Sequence, residues 1–144
     1  MKVCVLQPDY STTGVDYKNY DPPRDLAVLI PEAEVHTVFL NKLTTYKQLK
    51  ELSKQGYDIF VNLCEGYLEW DVPSIDVIYT LEILTLPFTW PTTKLYDPPK
   101  ELMKYLAYCE GVKTPGYVII TELNDVDEAV KHLSFPLFVK PAKA

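Results

Sequence analysis

The sequence lacks the features of a membrane or secreted protein. No run of apolar residues approaches the ~20 that a membrane-spanning helix needs. The N-terminus, MKVCVLQPDY, becomes polar too early for a secretory signal peptide. Cysteine is scarce, with three widely spaced residues and no CxxC pair. This usage favours reduced thiols in a cytoplasmic protein.

Positive charge is also in short supply. The 14 Lys and Arg residues are outnumbered by 20 Asp and Glu, which gives a net charge of -6. A nucleic-acid-binding surface is therefore not expected. The composition is otherwise that of a globular protein, 47% hydrophobic and 24% charged over 144 residues. That length holds one domain, or one small domain and part of another.

Strand and helix patterns alternate in the first part of the chain. The near-continuous apolar stretch at 58–63 is typical of a central parallel strand that is covered on both faces. This alternation predicts an α/β fold with an open, mostly parallel sheet. We expect strands at 3–6, 34–40, 58–63 and 87–89, and helices at 24–30, 44–55 and 74–84.

The stretch WPTTKLYDPP at 90–99 interrupts this alternation and indicates a boundary. We therefore expect one domain at 1–93 and the beginning of a second at 94–144. In the second, Asp97 is predicted to cap a helix that begins at Pro98 and stops at Gly111. Strands at 117–121 and 137–140 and a helix at 124–133 are expected to follow.

Several polar residues stand where strands are expected to end. Ligands of open α/β sheets bind beyond the carboxyl ends of the strands, although loop acids are also common on solvated surfaces. Lys140 ends the strand expected at 137–140, an apolar stretch that we expect to be buried, just before Pro141. Such a cation either meets an anion or extends its amine into water. The candidates for ligand binding are Asp9, Ser11, Glu65 and Gly66 at strand ends, Lys140, and the pair Lys100 and Lys104, which lies on one helix face.

Two protein families place a lysine before a proline at a strand end. Receiver domains also need an aspartate after the third strand, where this chain has Asn62, Leu63 and Cys64. A receiver-like or flavodoxin-like binding or signalling module is therefore the alternative hypothesis. From Gly56 onward the sequence more closely resembles the D-alanine–D-alanine ligase-like branch of the ATP-grasp enzymes. The stretches that carry this resemblance are YDIFVNLCEG, LEILTLPFTW, YDPPKELMKYLAYCEGVKTPGYVI and FPLFVKPA.

The resemblance implies a Rossmann-like, three-layer pre-ATP-grasp domain at 1–93, followed by the start of an α+β ATP-grasp lobe. It implies ATP and Mg²⁺ as cofactors, with the catalytic residues and magnesium ligands beyond Ala144. Enzymes of this family join a carboxylate to an amine through an acyl phosphate, and this part alone is expected to be inactive. The implied contacts are Lys100, Lys104 and Lys140 with the nucleotide, and Asp9, Ser11, Glu65 and Gly66 with a small amino-acid-like substrate. A homodimer of the full-length protein is compatible with the family.

The sequence departs from the family pattern around the substrate. Trp90 stands where glycine is usual, and PDYSTTGVDY after the first strand contains no glutamate. Cys64, Glu65 and Gly66 replace the usual histidine and glycine. These differences argue against D-alanine as the substrate. A degenerate member of the fold that only binds ligands is a further hypothesis.

Overall fold

A parallel three-stranded sheet organises the first part of the chain. The computed structural model describes residues 1–14 and 16–142, in two units, Met1–Tyr96 and a second that begins at Asp97. The strands β1 (Lys2–Pro8), β2 (Glu34–Leu40) and β3 (Ile59–Asn62) lie in the order β2-β1-β3. Both pairings are parallel, which confirms the predicted α/β class.

The middle strand, β1, is the most deeply buried. Val3 and Val5 are buried on one face, and Cys4 and Leu6 on the other. A strand that is apolar on both faces is stable only when both faces are covered, so this sequence favours the centre of the sheet. β2 is more exposed and forms an edge. β3 lies beside β1 and forms a further parallel bridge between Phe60 and Phe88.

Two helices pack with the sheet in the first unit. Helices α1 (Thr45–Leu52) and α2 (Ile75–Ile83) contact each other, and each buries the apolar residues of one face. Gly56 follows α1 with a φ of +70°, a conformation that glycine adopts without strain. A cluster of buried residues in the hydrophobic core contains Cys4, Leu6, Leu40, Leu49, Leu52, Phe60, Cys64, Val77 and Leu81.

The second unit contains two further helices, α3 (Lys100–Cys109) and α4 (Asn124–His132). Gly111 follows α3 with a φ of +69°, as expected for a helix stop. Before α4, the Asp125 carboxylate accepts hydrogen bonds from the N–H groups of Thr121 and Glu122, at 2.7 and 3.0 Å. These bonds lower the pKa of Asp125. None of the helices among the described residues combines the length and apolarity needed to cross a membrane.

Two predicted elements of the first unit are wrong or incomplete. Residues 24–30 form no helix, and only a turn appears at 27–29. Pro23 and Pro31 enclose this segment, and so short a helix does not recover its nucleation cost. The strand predicted at 87–89 is reduced to the bridge at Phe88. Its hydrogen bonds nevertheless extend the sheet, because Phe60 N–H donates to Pro87 O and Thr89 N–H donates to Phe60 O, both at 2.9 Å.

The second unit differs more from prediction. Segments 117–121 and 137–140 form no strands, since a strand requires a hydrogen-bonded neighbour and the described residues offer neither segment one. Phe138 and Val139 are 89% and 88% exposed, so the expected burial before Lys140 is also wrong. Asp97 does not cap α3, which begins at Lys100 with Pro99 as its N-cap. A following proline disfavours helical geometry at Pro98, which delays the start.

The environments of the three cysteines predict their reactivity. Cys4 and Cys64 are buried, whereas Cys109 is exposed. Burial raises the pKa of Cys4 to about 11 and also raises that of Cys64, so both remain protonated and inaccessible at neutral pH. We expect a thiol reagent at pH 7.5 to modify Cys109 in the native protein and all three cysteines in denaturant. Mass spectrometry of modified peptides checks this, and rapid native labelling of Cys4 would contradict the buried position of β1.

Candidate functional site

The loop after β1 forms a cleft at the carboxyl end of the sheet. The cleft has a volume of about 330 Å³, and Asp9 and Ser11 both line it. Asp9 is fixed by its own turn, since its Oδ1 accepts a hydrogen bond from Ser11 N–H at 2.9 Å. Hydrogen bonds from the side chain and backbone of Ser11 lower the pKa of Asp9 and keep the carboxylate ionised.

Two stacked tyrosines provide an aromatic wall of this cleft. The rings of Tyr10 and Tyr17 lie 4.3 Å apart at an interplanar angle of 14°, and both residues line the cleft. Tyr10 Oη donates to Asp21 Oδ2 at 2.5 Å, and the Arg24 guanidinium pairs with Asp21 Oδ1 at 2.7 Å. Burial and the Asp21 carboxylate raise the pKa of Tyr10, so its hydroxyl stays protonated.

Gln7 holds the two ends of the loop together. This residue is only 3% exposed. Its Nε2 donates to Arg24 O, and its Oε1 accepts from Arg24 N–H, both at 2.8 Å. This pair of bonds joins the end of β1 to a residue much later in the chain. The cleft is therefore shaped by the protein before any ligand arrives.

The turn after β3 is held by buried polar contacts. Asn62 Oδ1 accepts from Cys64 N–H at 3.0 Å, and Tyr96 closes the turn at Gly66. The Tyr96 hydroxyl accepts from Gly66 N–H at 2.6 Å and donates to Gly66 O at 3.0 Å. Gly66 has a φ of +122°, and a Cβ there would clash with the Trp70 ring. Glycine is therefore required for backbone geometry, while the neighbouring Glu65 is exposed.

The structure brings together only some of the residues that the sequence predicts to bind a ligand at this edge of the sheet. Asp9 and Ser11 share the cleft, whereas Glu65 and Gly66 do not line it. Glu65 lies on the separate turn after β3. A role in holding substrate remains a prediction for all four residues.

A polar cluster at the start of α2 was not predicted. Lys42 Nζ donates to Ser74 Oγ at 2.9 Å and to Asp76 Oδ1 at 2.6 Å. The same Asp76 oxygen accepts from Ser74 N–H at 2.8 Å and lies 3.0 Å from Ser74 Oγ, whose shorter hydrogen bond is to Tyr67 O at 2.7 Å. These contacts tie the segment after β2 to the start of α2. Its sequence signal is weak, because Lys42 and Asp76 are far apart in the chain.

The predicted nucleotide-contacting lysines all belong to the second unit. Lys100 and Lys104 are one turn apart on α3. Lys104 Nζ donates to Pro115 O at 2.7 Å and lies 4.9 Å from the centroid of the Tyr117 ring. Lys140 is exposed. Its segment returns to α3, because Lys100 N–H donates to Ala142 O at 3.1 Å.

Neither unit, as far as it is described, groups three or more His, Cys, Asp or Glu side chains in a way that could hold a metal ion. The magnesium ligands implied by the resemblance were expected outside this chain. The lysines of the second unit have the charge that phosphate groups require. Lys104, however, is already engaged within the unit.

Most of the residues that line the cleft stand outside the strand and helix patterns of the sequence. A readable signal was present, because the loop repeats one acidic and aromatic pair as Asp9-Tyr10, Asp16-Tyr17 and Tyr20-Asp21. Such repetition in a polar loop suggests stacked rings beside carboxylates. The lining residues that the sequence patterns did not single out are Pro8, Tyr10, Asp16, Tyr17, Asp21, Pro23 and Phe39.

Comparison with known proteins gives one relevant similarity. Over 98 residues, 66% of this chain, the sequence is 31% identical to a D-alanine–D-alanine ligase from Nitrosomonas eutropha. The aligned part covers 31% of that protein, so the chain spans about a third of its length. No family model matches the chain, and no solved structure matches it. The chain is therefore similar over this stretch to part of a ligase.

Proposed function

We propose that this chain is the N-terminal part of an ATP-dependent carboxylate–amine ligase of the D-alanine–D-alanine ligase-like, ATP-grasp type. The observation that carries the proposal is the 31% identity to a D-alanine–D-alanine ligase. The parallel α/β sheet of the first unit, with a cleft at its carboxyl edge, is compatible with a substrate domain. We assign residues 1–93 to a three-layer pre-ATP-grasp domain and 94–144 to the start of the ATP-grasp domain.

In this proposal, the second unit contributes positive charge to the nucleotide. The contact between Lys100 N–H and Ala142 O brings the segment after Lys140 beside the first turn of α3. Lys100 and Lys140 would therefore serve the phosphates from neighbouring segments, where lysines act as point charges. Lys104 would join them after releasing Pro115 O. ATP, with Mg²⁺, supplies the phosphoryl group that activates the carboxylate.

The test uses the protein encoded by the complete reading frame that includes this chain. Purified protein is supplied with ATP, Mg²⁺ and a panel of amino acids and amines, and ADP release is followed. We expect release that depends on both a carboxylate and an amine, with an amide as the condensed product in mass spectrometry. ADP release without any condensed product would reject the ligase proposal. The absence of ADP release with every member of the panel would also reject it.

Glu65 is proposed to orient the substrate from the turn after β3. Its carboxylate is exposed, and the bonds between Gly66 and Tyr96 fix the neighbouring backbone. In the complete protein, we expect Glu65→Gln to raise the KM for the amino substrate about tenfold, because a charged hydrogen bond becomes neutral. The KM for ATP should change little.

The matched control is Glu69→Gln, which removes an exposed acid from the same loop. Initial rates at varied substrate and fixed ATP, and then the reverse, separate the two constants. Equal effects of both variants would show that only the charge of the loop matters. A rise in the KM for ATP alone would place Glu65 at the nucleotide instead.

A further inference from the structure

The outer edge of β2 carries backbone groups that point away from the sheet. Within a parallel pair, alternate residues of a strand direct their N–H and C=O groups to the same neighbour. Glu34 N–H donates to Met1 O, and Leu40 O accepts from Asp9 N–H, so the even-numbered residues of β2 face β1. The outward backbone groups belong to the odd-numbered residues, Val35, Thr37 and Phe39.

One side chain covers part of this edge. Gln48 Nε2 donates to Phe39 O at 3.1 Å. The outward N–H groups of the three odd-numbered residues meet no acceptor among residues 1–14 and 16–142. Edge strands are usually protected by charged residues or proline. Residues 35–40, VHTVFL, contain no proline, no lysine or arginine and no acid, so this edge is open to another strand.

The two ends of β2 carry opposite charges. Glu32 and Glu34 are exposed at its start, and Glu34 contacts His36 at 3.0 Å. Lys47 is exposed and lines a shallow groove together with Val38, towards the other end of the strand. Neither Glu32 nor Lys47 forms an ion pair within the part of the chain that the structure describes. An antiparallel strand of the same sequence brings each acidic end beside a basic one, which argues for a second copy as the partner.

A two-fold axis at Thr37 brings the whole edge into register. When Thr37 lies opposite its own counterpart, Val35 lies opposite Phe39 of the second copy. All three outward residues then stand at positions where antiparallel neighbours exchange both hydrogen bonds. The carbonyl oxygen of Phe39 has a second lone pair for this bond, so its contact with Gln48 is kept.

We propose that β2 pairs edge to edge with β2 of a second copy of this chain, antiparallel about Thr37. The two three-stranded sheets then form one sheet in the order β3-β1-β2-β2-β1-β3. Val35 and Phe39 of opposite copies pack as a β-branched and aromatic pair on one face of that sheet. The interface uses only residues of the first unit, and the inference does not rest on the proposed ligase function.

Disulfide cross-linking of the 144-residue chain tests the register. Cysteine is introduced into β2 in a Cys109→Ser background, which removes the exposed native thiol. Thr37→Cys should give a covalent dimer under mild oxidation, because the opposed Cα atoms lie about 5.5 Å apart, within disulfide range. Val35→Cys should give none, because its counterpart lies roughly 14 Å away along the strands. Equal cross-linking of the two variants, or none in either, would overturn the inference.

Sedimentation equilibrium over a range of concentrations measures the dimer without a cross-link. We expect Thr37→Pro to raise the dissociation constant about tenfold or more, because each copy loses an intermolecular N–H donor. The bonds to β1 are kept, since this N–H points outward. Ile83→Lys is the control, because Ile83 is 69% exposed on α2, and it should dimerise like the parent. A parent chain that is monomeric at every concentration, or a dimer broken only by Ile83→Lys, would reject the edge pairing.

Charge reversal tests the same arrangement at exposed positions outside β2. In the proposed register, Glu32 lies opposite residue 42 of the second copy, at the end of β2 where Lys47 lies. Glu32→Lys and Lys47→Glu should each weaken the dimer several-fold by placing like charges together. The double variant should recover most of the parent affinity, and circular dichroism establishes that each variant is folded. A double variant that dimerises no better than the single variants would contradict the antiparallel arrangement.

Discussion

Lys42→Met is expected to lower the free energy of unfolding by about 3 kcal/mol, which is a large fraction of the stability of a small domain. The side chains of Lys42 and Asp76 are 17% and 18% exposed, and their charged atoms lie 2.6 Å apart. The other Asp76 oxygen, Oδ2, is buried and has no hydrogen-bond partner among the described residues. Without the lysine, a largely desolvated carboxylate would lose its only counter-ion in the cluster formed with Ser74.

The double variant Lys42→Met with Asp76→Leu separates two contributions to stability. One is the interaction between the two side chains, and the other is the cost of leaving the Asp76 carboxylate without its counter-ion. Replacing both partners of a buried ion pair with apolar residues is often close to neutral. We therefore expect the double variant to recover most of the lost stability. The remaining deficit would reflect the hydrogen bond that Asp76 accepts from Ser74 N–H at the start of α2.

Urea denaturation followed by circular dichroism measures these differences, provided that the slope with denaturant is unchanged. Lys47→Met is the matched control, because Lys47 is an exposed lysine on α1. Surface substitutions of that kind change stability by roughly 0.5 kcal/mol or less. If Lys42→Met were no less stable than Lys47→Met, the contact between the segment after β2 and the start of α2 would contribute nothing to folding.

The sequence predicts elements well where local pattern and tertiary packing agree. The strand Glu34–Leu40 has the bounds that its alternation predicts, and α1 and α2 lie within their predicted ranges. These three segments all pack within the first unit. The spacing of their apolar residues therefore matches the packing contacts that the folded unit contains. Segments 117–121 and 137–140 are equally apolar, yet they form no strands. Strand formation depends on a neighbouring chain, which a local pattern does not supply.

The candidate site shows a similar division. Asp9 and Ser11 could be placed at a ligand-binding edge because they follow a buried strand in an α/β pattern. The aromatic wall could not be placed from the strand pattern, since it depends on the loop returning to stack Tyr17 on Tyr10. That return is fixed by the bonds between Gln7 and Arg24, which are 17 residues apart. Contacts over such separations are set by the folded loop and have no sequence period.

The largest expected effect on activity is that of Lys140→Ala in the complete protein. If Lys140 serves the nucleotide phosphates as proposed, its removal should lower kcat/KM for ATP about 100-fold, the effect of losing one preorganised electrostatic contact in an active site. Because the side chain is exposed in this chain, its loss should leave the fold intact. Steady-state ADP release at varied ATP, with the amine and the carboxylate saturating, measures the change.

Two further variants distinguish a phosphate contact from a general charge effect. Lys131→Ala removes an exposed lysine of α4, which is paired with Glu128 at 2.7 Å, and should leave kcat/KM for ATP unchanged. Lys140→Arg keeps the charge with a different geometry and should retain more activity than Lys140→Ala. Full activity of Lys140→Ala would remove this lysine from the nucleotide site. Residues 137–140 are neither a strand nor buried, so burial gives no reason to expect an anion beside Lys140. The assignment of Lys140 to the nucleotide therefore depends on this measurement and on the similarity to the ligase.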